Sequence, residues 1–90
     1  MGMSAVKYKL MPENLDVSLE ELKTASKSAI ESKGGVVGEF EEQPIAFGLK
    51  ALVAAFAFPE ESDIDEVGNV LSEISGVSSA DMIDYRRALG

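Results

Sequence analysis

Apolar and polar side chains alternate from Ala5 to Met11, with Val6, Tyr8 and Leu10 on one side and Lys7 and Lys9 on the other. A period of two is that of a strand buried on one face, and Pro12 ends it. The pattern then changes. Asp16 and Ser18 precede an apolar series at Leu19, Leu22, Ser26, Ala29 and Ile30, the three-and-four spacing of an amphipathic helix. Ser18 with Glu21 three residues on fits a capping box at its start. The helix is expected to end near Ser32, where Gly34 and Gly35 supply the backbone freedom that closes a helix C-terminus. Val36 to Gln43, with Val37 and Phe40 among polar residues, reads as a second strand stopped by Pro44, and an edge position suits it. Phe47 to Phe58 is almost continuously apolar. Phe56 and Phe58 share a face with Leu52, so this stretch predicts a central strand covered in part on both faces. Asp63 caps a second helix with apolar positions at Ile64, Val67, Leu71 and Ile74, and Gly76 ends it. A last strand runs from Val77 to about Tyr85.

The order strand, helix, strand, strand, helix, strand predicts an α+β fold of the ferredoxin-like βαββαβ type. Its sheet would have four antiparallel strands in the order 4-1-3-2, with two helices on one face. Ninety residues are expected to make one domain spanning 1–90, since two independent cores would each be too small. A 46% hydrophobic, 27% charged composition is that of a globular chain.

What is missing narrows the chemistry. With no cysteine and no histidine, the chain can form no disulfide, thiol nucleophile, Ser-His-Asp triad or imidazole metal site. Its longest uncharged apolar stretch, Ala51 to Pro59, is far short of the roughly 20 residues that cross a bilayer. The start Met1-Gly2-Met3-Ser4-Ala5 has none of the marks of a secretory signal, so the expectation is a cytoplasmic protein without a membrane segment. The net charge of −8 opposes direct nucleic-acid binding. The excess is central: residues 35 to 75 hold nine acids (Glu39, Glu41, Glu42, Glu60, Glu61, Asp63, Asp65, Glu66 and Glu73) against the single Lys50. Such a patch either aids solubility or steers a basic partner.

Candidate sites are few. Asp63 to Gly68 begins like a calcium loop, but position five is Val67 and position twelve is Ile74, so two needed oxygens are absent. Acids in the first turn of a helix explain it instead. Gly34-Gly35-Val36-Val37-Gly38 has neither the lysine nor the spacing of a phosphate loop. Glu41 and Glu42, adjacent on a strand, point to opposite faces and cannot act together on one atom. Two features remain. Phe47, beside a glycine in the turn between edge and central strands, either seals the end of the sheet or protrudes as an anchor. Arg86 and Arg87 close the last strand.

The string Glu42-Gln43-Pro44-Ile45-Ala46-Phe47-Gly48-Leu49-Lys50-Ala51-Leu52, the opening Tyr8-Lys9-Leu10-Met11-Pro12 and the closing Asp84-Tyr85-Arg86-Arg87 together resemble the archaeal translation elongation factor 1-beta family. The resemblance extends over nearly the whole chain. It implies the same plait and a guanine-nucleotide exchange factor for elongation factor 1-alpha, the GTPase that delivers aminoacyl-tRNA. It implies no bond chemistry and no cofactor. By the same resemblance, Phe47 is expected to enter an apolar pocket on the GTPase. A terminal cation, Arg87 or failing that Arg86, is expected to disturb the GTPase's magnesium site. Eukaryotic members carry a lysine followed by one residue, whereas here Arg87 is followed by Ala88, Leu89 and Gly90. In this plait strands three and four run parallel, so Phe47 and Arg87 should lie at opposite ends of the sheet and form a two-point grip. Two rivals stand beside this reading. An adaptor or protein-binding module on the same plait would leave Phe47 buried. A small acylphosphatase-like hydrolase would need an arginine-lined cradle and a water-positioning asparagine, for which only Asn14, Asn69 and two terminal arginines are present.

Overall fold

The computed structural model describes residues 2–87. Six elements follow in the order β1 (Met3–Pro12), α1 (Leu19–Ser32), β2 (Val36–Pro44), β3 (Lys50–Pro59), α2 (Ile64–Ser72) and β4 (Val77–Arg87). The strands form one antiparallel sheet in the order β2-β3-β1-β4, the ferredoxin-like α+β plait that the pattern predicts. β2 is an edge strand and β3 an interior one, as expected.

Even-numbered residues of β1 and β3 face the helices. Val6, Tyr8, Leu10, Leu52, Ala54, Phe56 and Phe58 meet Leu22 and Ile30 of α1 and Val67 and Leu71 of α2 in one buried cluster. Each large apolar side chain so buried contributes about 1.5–3 kcal/mol. Within the cluster Tyr8 stacks on Phe56 at 6.1 Å between centroids, and Phe56 meets Phe58 edge-on at 6.4 Å, both favourable ring geometries. Both helices start where their side chains cap them. Ser18 accepts the Glu21 N–H at 3.3 Å, and Asp63 accepts the Asp65 N–H at 2.9 Å, so the acids around Asp63 belong to a helix start.

Three boundaries differ from those expected. β3 begins at Lys50, not Phe47, because Phe47 and Gly48 both take positive φ and lie in the turn. α2 closes at Ser72, and Ile74 packs on the core from the turn beyond it. β4 continues to Arg87, which brings both arginines into the sheet.

One arrangement was not visible in the pattern. Val37 and Phe40 are three residues apart, an odd spacing that puts them on opposite faces of a regular strand. The register shifts between Val37 and Glu39, so Val37 pairs with Phe56 and Phe40 with Ala54. Both side chains thereby reach the core, and Gly38 is the extra residue of the bulge. β4 repeats the device: the register shifts between Lys7 and Tyr8, leaving Ile83 unpaired between Met82 and Asp84.

Candidate partner-binding site

The turn joining β2 to β3 is built from its hydrogen bonds outward. Leu49 N–H donates to Ala46 O at 2.9 Å and Ile45 N–H donates to Leu49 O at 2.9 Å. Between them Phe47 has φ 53° and Gly48 φ 82°. Two consecutive left-handed residues are the requirement of the tight hairpin turn whose twist matches its strands, and asparagine, aspartate and glycine satisfy it cheaply. Gly48 is therefore accounted for by the backbone. Phe47 is not, because a bulky residue there is strained by about 1 kcal/mol or more.

Nor does the core compensate that strain, since Phe47 is 95% exposed. Of the two roles the sequence allowed, sealing the sheet or protruding from it, the structure takes the second. The base of the hairpin is tied down by charge: Glu42 accepts from Lys23 of α1 at 3.4 Å and lies 3.7 Å from Lys50 of β3. Glu41 pairs with Val53 on the other face of the sheet, so the two adjacent carboxylates diverge as expected. A rigid base carrying a strained, solvated aromatic can hand an apolar anchor to a partner with little ordering cost.

The basic pair lies at the far end of the sheet. Arg86 is in register with Ala5 and Arg87 with Ser4, while Ser4 is also in register with Phe58, near the close of β3. Ser4 Oγ donates to Tyr85 Oη at 3.0 Å, which ties the end of β4 to β1. Both arginines are exposed. Arg86 Nε lies 3.4 Å from Asp84 Oδ2, and among the described residues no carboxylate pairs with Arg87. Ala88, Leu89 and Gly90 lie outside the described residues.

Phe47, Arg86 and Arg87 are therefore not brought together. The fold holds them at opposite ends of a molecule 42 Å long and about 20 Å across. Leu15, which no periodic pattern marks because it stands alone in a polar loop, is 65% exposed at the Phe47 end. Among the described residues no group of three or more acids is placed to hold a metal ion, and no helix is long and apolar enough to cross a membrane.

Residues 5–87 match the family model described as the EF-1 guanine nucleotide exchange domain. The chain is 38% identical over 88 residues to elongation factor 1-beta of Methanosarcina barkeri, covering 97% of this chain and 99% of that one. It is 40% identical over 85 residues to elongation factor 1-beta of Methanoculleus marisnigri, covering 93% and 95%. Against the protein of the same name from Desulfurococcus amylolyticus it is 32% identical over 84 residues, covering 91% and 92%.

Proposed function

The chain belongs to the family of EF-1 guanine nucleotide exchange domains and is an exchange factor for elongation factor 1-alpha; we propose that it works as a two-point grip, with Phe47 as anchor and the terminal arginines as the element that loosens the nucleotide. In this reading residues 1–90 act as one exchange domain in the cytoplasm, where the partner serves translation. The domain makes and breaks no covalent bond.

The observation that carries the residue assignment is the exposed, left-handed Phe47. A folding role would bury the ring, whereas an exposed aromatic on a tight turn suits an anchor for a protein partner. At the other end, a guanidinium brought near the GTPase's Mg²⁺ opposes the ion electrostatically. Loss of that ion removes the charge that neutralises the phosphates of GDP. The exchange factor thereby stabilises the nucleotide-free GTPase, and linkage requires nucleotide to weaken its binding in return. Arg87 is the better placed of the two cations, since Arg86 already has Asp84 beside it.

The test is release of a fluorescent GDP analogue from elongation factor 1-alpha of the same source. Substoichiometric amounts of the protein are expected to accelerate release. No acceleration at saturating concentration would refute the exchange reading.

A further inference from the structure

The turn that carries Phe47 does not stand alone. The loop between β1 and α1 reaches the same end of the sheet, and its Leu15 lies against Gly48: a methyl group built on Gly48 would meet Leu15 Cδ2 at 3.4 Å. Leu15 is 65% exposed and Ile45 is 41% exposed. Three large exposed apolar side chains, Leu15, Ile45 and Phe47, therefore come from two loops at one end of the sheet. Single exposed apolar residues are ordinary, but a contiguous group on adjoining loops marks a contact surface.

The loop is also held in shape. Asp16 N–H donates to the Asn14 side-chain oxygen at 2.9 Å, Val17 N–H to Asn14 O at 3.4 Å, and Glu13 N–H to Gly76 O at 2.9 Å. Val17 and Leu19 at its far side pack on the core. Leu15 itself is exposed, on the turn that Asn14 closes and beside the hairpin. A leucine on a hydrogen-bonded loop, against the turn that carries Phe47, is held in place before a partner arrives.

We propose that Leu15 is a second, direct contact to the GTPase, so that the docking element is an apolar ridge formed by Leu15 and Phe47. The partner it fits has an apolar cleft wide enough for both side chains, extending beyond a pocket for one ring. This inference rests on the reading of Phe47 as the anchor.

The test measures affinity for nucleotide-free elongation factor 1-alpha by titration calorimetry, for Leu15→Ala, for Phe47→Leu and for the double variant, with melting curves to check folding. Leu15→Ala is expected to keep the native melting temperature and to weaken binding about tenfold. It should weaken binding in the Phe47→Leu background too. Native affinity for Leu15→Ala overturns the proposal. So does a loss that vanishes in the Phe47→Leu background, since Leu15 would then only hold the turn in place. If Phe47→Leu itself binds as the native protein does, the anchor reading fails instead, and a loss confined to Leu15→Ala would show that the two fail separately.

Discussion

Under the proposed grip, Phe47 sets the interests of folding and binding against each other at a single residue. Its backbone is left-handed at φ 53° and its ring is 95% exposed, so the fold bears the strain and gains no burial. Asparagine tolerates the same backbone. Phe47→Asn is therefore expected to match or exceed the native melting temperature while weakening binding to the GTPase thirtyfold or more, the loss of a main anchor. Melting by circular dichroism and a binding titration on one preparation check both halves. A drop in melting temperature would show that the ring supports the fold after all. Ser26 poses a different residue-level question. It is fully buried on α1, and its hydroxyl has no hydrogen-bond partner. Burying an unpaired hydroxyl costs about 1 kcal/mol or more, and alanine is the better helix former. Ser26→Ala should raise unfolding stability by about 1 kcal/mol, read as a shift of the urea midpoint at constant slope.

Among the elements, α2 carries a glycine in its interior that helix propensity alone would exclude. Gly68 is there because Tyr8 leans on it. A Cβ at 68 would lie 2.8 Å from Tyr8 Oη and 3.4 Å from Cε2 and Cζ, and Tyr8 is buried in the cluster. Gly68→Ala should thus destabilise the native protein by about 1–2 kcal/mol. In a Tyr8→Phe background, with the hydroxyl gone, the same change should be neutral or stabilising by up to about 1 kcal/mol. The contact has a pH signature as well. Burial, and secondarily the charge of Asp65, raises the Tyr8 pKa above its ordinary value of 10.0. Above pH 10 the folded protein then holds a proton that the unfolded chain releases, so stability is intact below about pH 10 and falls as pH rises beyond it. Denaturation curves at rising pH should show a shallower alkaline decline for Tyr8→Phe. None of this was legible in the chain, where Gly68 stood out only as the glycine of the rejected calcium-loop pattern. Strands and helices were legible because their faces repeat: Val6, Tyr8 and Leu10 alternate, and Val67 and Leu71 stand one turn apart. β2 was less so, since Val37 and Phe40 share a face only because the bulge at Gly38 interrupts the alternation between them. Phe47 drew notice as an aromatic beside a glycine. Its outward direction depends on backbone angles that composition does not encode.

At the scale of the whole molecule, the separation of the two candidate ends makes a kinetic claim. β3 and β4 are each antiparallel to β1 and so run parallel to one another, which puts the turn before β3 and the close of β4 at opposite ends. A strand of about ten residues covers roughly 33 Å, and the molecule is 42 Å long. Groups this far apart cannot share one pocket, so each should govern a different step. Phe47→Ala is expected to raise the concentration of exchange factor that gives half-maximal GDP release and to leave the rate at saturation unchanged, as loss of uniform binding does. Arg87→Ala should lower the rate at saturation, because the proposed grip has it act as the nucleotide leaves. Arg86→Ala, which removes a cation already beside Asp84, should do so less. Stopped-flow release measured over a range of exchange-factor concentrations separates the two parameters. Salt adds an independent check, since the proposed grip has the arginine end work through charge, which mobile ions screen. Raising ionic strength should depress the saturated rate of the native protein and affect Arg87→Ala much less. Equal effects of Phe47→Ala and Arg87→Ala on affinity, with neither changing the rate at saturation, would mean that the two ends form one extended binding surface with no division of labour.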